Sequence, residues 1–189
     1  MYLYQPCLLT MVLYGWAFDP AERRRRWIMI LFPLVVLLVS EWEVTFSSYK
    51  LYPASLLLPV CFLMGRSRDV AWAEVLASSL LGGLVCWKAA DAWPLLPGSA
   101  VLCAVLLLIP VTLLCRDRDD RLLAVTFASP FFELFYCLHE YMLFSFCALR
   151  FGSKDALSLG SMALCIYFVL EQLRLLLLSK KKGAVSIRN

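Results

Sequence analysis

Apolar positions in this chain come in long unbroken stretches, with the polar positions gathered into short clusters between them. The stretches run Tyr2–Phe18, Trp27–Phe46, Tyr49–Gly65, Val70–Trp87, Ser99–Cys115, Leu122–Leu149 and Ala156–Leu178. A helix crossing a bilayer needs about 20 mostly apolar residues, within a range of about 17–25. A membrane β-barrel would instead alternate apolar and polar residues along each strand. The pattern therefore predicts an all-α fold, a polytopic transmembrane helix bundle of seven spans over residues 1–179, with a short basic tail over residues 180–189. The remaining residues supply connections, and no separate soluble domain fits.

Composition agrees. Apolar residues make up 62% of the chain and charged residues 17%, against about 45–50% and about 25% in a typical soluble domain. A soluble domain of this size still exposes roughly 30% of its chain surface, so the apolar excess must face lipid. A soluble enzyme, a disordered tail and a coiled coil are excluded on this ground.

Charge placement gives the expected orientation. With the N-terminus outside, the cytoplasmic segments carry Arg23 to Arg26, Arg66, Arg68, Arg116, Arg118, Arg121, Lys180 to Lys182 and Arg188. The outer loops carry only Lys50, Lys88, Arg150 and Lys154. Thirteen inside against four outside, in every alternate loop, is the bias the positive-inside rule describes for seven spans with a cytoplasmic C-terminus. Trp16, Trp27, Trp42, Trp72 and Trp87 fall near predicted helix ends, with Trp93 in a loop, as amphipathic indole rings prefer. The start, MYLYQPCLL, lacks the basic leader of a secretory signal and reads as a retained helix.

Few residues carry candidate chemistry. The run Arg23, Arg24, Arg25 and Arg26 reads as a topology signal beside anionic lipid headgroups; the sharper reading is a docking patch for an acidic partner. Without interleaved aromatics it is no nucleic-acid site. The eight cysteines never form C-x-x-C, and one histidine supplies no zinc pattern. They read as small packing residues, and no cofactor or metal is expected. Ser78, Ser79, Gly82 and Gly83, and the line Gly152, Ala156, Gly160, are spaced to let helices approach closely in lipid.

The sixth stretch is the informative one. It carries Glu133, His139 and Glu140, and counting from Leu122 puts Glu133 about 17 Å in, near the midplane. Glu133 and Glu140 share one helix face with Tyr136 and Cys137 between them, and His139 lies about 100° away from Glu140. An intramembrane carboxylate is costly and marks a functional site by default. Burial favours its protonated form, the property a proton carrier requires. Glu171 and Arg174, an i, i+3 pair on the seventh stretch, are candidate partners. Pro130 frees the carbonyl of Thr126 one turn before Glu133. No nucleophile–base pair, G-x-S-x-G, P-loop or zinc-protease motif accompanies these groups, so no catalytic residues are assigned.

Three segments, Gly15-Trp16 with the basic residues after it, EVTFSSYKLYPASLLL (43–58) and RLLAVTFASPFFELFYC (121–137), resemble the YphA-like family of small polytopic membrane proteins from spore-forming Gram-positive bacteria. The likeness follows most of the chain in order, while the C-terminal third matches mainly in hydropathy. It implies a multi-pass protein of the bacterial plasma membrane and no activity, since that family is uncharacterised. The expected function is a non-enzymatic accessory or interaction component, meeting a membrane-protein partner or a second copy. The alternative is a small-solute or proton-linked transporter using Glu133; an intramembrane enzyme is a more distant one.

Overall fold

The computed structural model describes residues 4–17, 23–46, 49–64, 69–92, 99–144, 150–151 and 153–186. Seven helices occupy most of these residues: α1 (Tyr4–Ala17), α2 (Arg23–Val39), α3 (Pro53–Met64), α4 (Trp72–Ala92), α5 (Ser99–Leu114), α6 (Arg118–Phe144) and α7 (Lys154–Ser186). Three of them, over Trp72–Ala90, Arg118–Phe144 and Lys154–Leu178, are long and apolar enough to cross a membrane, which fits a membrane protein. Tyr4–Leu13 and Ala100–Leu114 are apolar but shorter.

The purely helical expectation needs correcting at one place. The second stretch stops being helix at Val39 and the third does not begin as helix until Pro53. Between them β1 (Val44–Phe46) and β2 (Tyr49–Leu51) form an antiparallel pair, and β2 pairs in parallel with β3 (Arg150–Phe151). The cause is local. Ser40, Glu41 and Glu43 interrupt the apolar run, Val44 and Thr45 favour extended backbone, and Pro53 opens a helix because its missing N–H is not needed there. Glu43 then bonds both Lys50 and Tyr52 across the pair. At 12 residues α3 is about 18 Å long, short of a hydrocarbon core of about 30 Å.

Helix α6 is the centre of the bundle. Residues Leu122 to Thr126 and Ala128 to Pro130 are all buried. The predicted break at Pro130 is repaired nearby, where Ser129 Oγ donates to the Thr126 carbonyl at 3.3 Å. Small residues set how closely the neighbours approach. A Cβ on Gly83 would lie 2.8 Å from Phe132 N and 2.9 Å from Phe131 Cβ, so α4 touches the α6 backbone directly. Ser79 Oγ donates to the Ala124 carbonyl at 3.0 Å one turn earlier. On the other flank, a Cβ on Gly160 would lie 2.9 Å from Ser129 Oγ. Gly152, the third member of that line, lies outside the described residues.

Contacts also fix relative directions. Tyr4 at the start of α1 meets Ser40 and Glu41 just past the end of α2, so those helices are antiparallel. Cys86 near the end of α4 donates its thiol to Cys103 O near the start of α5 at 2.9 Å, and Glu74 accepts from Arg116 N at the opposite ends. Helices α4 and α6 run parallel by the pairs just given, and α6 and α7 run antiparallel, since Ser153 before α7 bonds Glu133 while Gly160 meets Ser129. The bundle thus has two ends: a hairpin end, holding the strands and the start of α7, and an Arg118 end. Large apolar side chains such as Leu38, Leu113 and Met142 point outward, each 77–78% exposed. Such an outward apolar surface fits a membrane protein.

Candidate functional site

The site is built where α7 begins. Ser153 precedes the first helical residue, and its Oγ accepts from Ala156 N at 3.3 Å while its carbonyl accepts from Leu157 N at 2.9 Å. That is an N-cap. In a capping box a Glu or Gln three residues on would reach back to the cap's own N–H, but Ala156 stands there. The missing acceptor comes from another helix: Glu133 Oε1 of α6 takes the Ser153 N–H at 2.7 Å. A carboxylate at a helix N-terminus also complements the macrodipole. Glu133 is only 6% exposed, and this bond is one of the partners that let it be buried.

Around that bond lies a cavity of about 480 Å³, lined by Phe132, Glu133, Tyr136, Cys137, Glu140, Ser153 and Asp155. Its walls are the far turns of α6 and the first turn of α7. Three carboxylates border it, and its apolar surface comes from Phe132, Tyr136 and Cys137. Glu140 is half-buried, Asp155 is exposed, and neither makes a hydrogen bond or ion pair among the described residues.

The cavity rim is braced from outside. Lys154 bonds Glu41 Oε2, and Tyr4 Oη donates to Glu41 Oε1 at 3.1 Å, so one carboxylate ties the start of α1 and the start of α7 to the end of α2. The Lys154 ammonium, then the Tyr4 hydroxyl, hold the Glu41 carboxyl below its ordinary value. Strand β3, two residues before Ser153, pins the same junction to β2 through the Lys50–Arg150 and Leu51–Phe151 pairs.

Of the residues singled out in the sequence, Glu133 and Glu140 are together, with Tyr136 and Cys137 between them. His139 is elsewhere, its ring edge-on to Trp87 of α4 at 5.3 Å. Glu171 and Arg174 pair with each other at 3.9 Å, but Glu171 is 18 residues, about 27 Å, along α7 from Ser153. They belong to the Arg118 end, where Arg121 Nε donates to Cys115 O at 2.8 Å. The side chains of Arg23 to Arg26 lie outside the described residues, although α2 begins with them.

The partner of Glu133 sets it beside the start of α7. Glu133 is about 22 Å from Arg118 along α6, yet level with the first residue of α7. Ser153 and Asp155 escaped sequence reading because the seventh stretch was begun at Ala156; Ser153 followed by an acid in the first turn was the available signal. Among the described residues no group of three His, Cys, Asp or Glu could hold a metal ion. Cysteines serve as small contacts between helices: Cys165 donates to Cys7 O at 3.1 Å, and Cys115 Sγ lies 3.1 Å from Ser78 Oγ.

No family model, curated protein or solved structure matches the chain.

Proposed function

We propose that the chain is a seven-span, multi-pass protein of the bacterial plasma membrane, N-terminus outside and C-terminus cytoplasmic. In this reading it acts as a non-enzymatic accessory or interaction component, in keeping with its resemblance to the YphA-like family. The single observation that carries the choice is the packing beneath Glu133. All lining residues of the cavity lie at the hairpin end; below them α6 is buried without break from Ala128 to Pro130, where a Cβ on Gly82 would lie 3.5 Å from Ala128 Cβ and one on Gly160 2.9 Å from Ser129 Oγ. A conduit needs polar, hydrated surface there, and this segment has closely packed side chains instead. Crosslinking in native membranes at native abundance should trap a discrete partner or a second copy, and reporter fusions should place residue 189 in the cytoplasm and residue 1 outside. Recovery of the monomer alone would overturn the accessory reading.

One observation favours a second reading, proton-linked transport: Glu133 borders the cavity. In that case Glu133→Gln, which keeps size and an acceptor but cannot titrate, abolishes pH-dependent flux in reconstituted vesicles. Under the accessory reading no flux exists to abolish.

A further inference from the structure

We propose that the cavity between α6 and the start of α7 is a binding site for an organic cation, a primary ammonium carrying a short apolar body. The inference rests on the reading above only in taking the cavity as closed toward the Arg118 end.

The first observation is the space. A volume of about 480 Å³ lies in the range of small-molecule pockets, about 300–1,000 Å³, and is far more than one or two waters occupy. The second is the lining. Phe132, Tyr136 and Cys137 give an apolar wall suited to a hydrocarbon body, and two of them are aromatic, a residue type that attracts cations. The third is charge. Glu133, Glu140 and Asp155 border the cavity, and among the described residues no cationic side chain does. Lys154, the nearest cation in sequence, is turned to Glu41 on the rim, and Lys50 to Glu43.

The carboxylates have separate tasks. Glu133 holds the Ser153 N–H and sets the cavity floor. Glu140 and Asp155, on facing helices and without hydrogen bonds among the described residues, are the ammonium acceptors. Like charges facing one cavity repel, and a bound cation relieves that repulsion at the moment it binds. An anion is excluded by the same field, and a bare metal ion by the apolar wall, which leaves its coordination unfilled.

The test uses the full chain in lipid nanodiscs, titrated calorimetrically with n-butylammonium, n-butanol and potassium. Saturable binding of n-butylammonium is expected, with neither n-butanol nor potassium competing for it. The Glu140→Gln, Asp155→Asn double variant should bind at least 10-fold more weakly while unfolding at an unchanged temperature. Absence of saturable binding, or binding untouched by the double variant, overturns the site. Transport of n-butylammonium across vesicles would overturn the accessory reading and leave the site standing.

Discussion

Removing the Glu133 carboxylate should loosen the start of α7 specifically. The bond at stake joins the Glu133 carboxyl to a backbone N–H at 2.7 Å, and such a bond contributes about 0.5–1.5 kcal/mol with a neutral acceptor and about 1.5–3 kcal/mol with a charged one. Charge at a helix N-terminus adds about 0.3–1 kcal/mol. Against this, neutral side-chain pairs between membrane helices average only about 0.6 kcal/mol, because the separated helices find other partners. The Ser153 N–H has few alternatives, since Ala156 cannot supply the usual capping acceptor. We therefore expect Glu133→Ala to cost about 2 kcal/mol and Glu133→Gln, which keeps an oxygen but not the charge, about 1 kcal/mol. A 2 kcal/mol loss raises local opening by about 30-fold. Amide hydrogen exchange from Ser153 to Leu157 should speed up by that factor in the Ala variant, with exchange in α4 and α5 unchanged. Equal losses for Ala and Gln would refute the hydrogen bond as the carrier. No loss in either would refute the interhelical cap altogether.

Adjacent glycines in α4 should behave differently. Gly83→Ala drives its Cβ against Phe132 N, while Gly82→Ala meets Leu107 and Ala128 at ordinary contact distances of 3.4–3.5 Å. Detergent unfolding should show a loss of about 1–3 kcal/mol for the first and under about 1 kcal/mol for the second. Gly160→Ala collides with Ser129 Oγ, so Ser129→Ala should recover part of its loss; strictly additive losses would mean that the contact is not the cause. Acid should act through Glu41. Its carboxyl is held below the ordinary 4.5, so its pairing favours the folded state above that value and is lost as pH falls through the lowered one. Exchange at the start of α1 should rise in acid in the wild type and lack that component in Glu41→Gln.

Most of the architecture was legible because it follows from solvent. A run of lipid-facing residues must satisfy its own backbone, and only helix does so within one segment. The Ser and Gly spacing in α4 likewise anticipated a close approach, since only a missing side chain allows Gly83 to touch Phe132 N. The hairpin was not legible by the same rule. Val44–Phe46 and Tyr49–Leu51 are only three residues each, and hydropathy does not distinguish strand from helix over so few residues. Glu41, Glu43 and Pro53 carried the signal that these residues lie at a boundary.

The depth of Glu133 shows why a buried polar group cannot be placed from its own helix. Counted along α6, it has about 22 Å of helix before it and about 16 Å after it, which suggests mid-bundle. Polar depth in a bundle is set by where the neighbours end, and α7 begins opposite Glu133. The last 11 residues of α6 therefore extend past the start of α7, and the cavity opens in the step between the two helix lengths. The two other acidic groups there, Glu140 and Asp155, follow from the same offset: one lies on the overhang and the other on the first turn below it. A chain with α6 and α7 ending level would bury Glu133 against side chains and have no cavity. The offset between the end of α6 and the start of α7 is what turns one misplaced-looking carboxylate into a site.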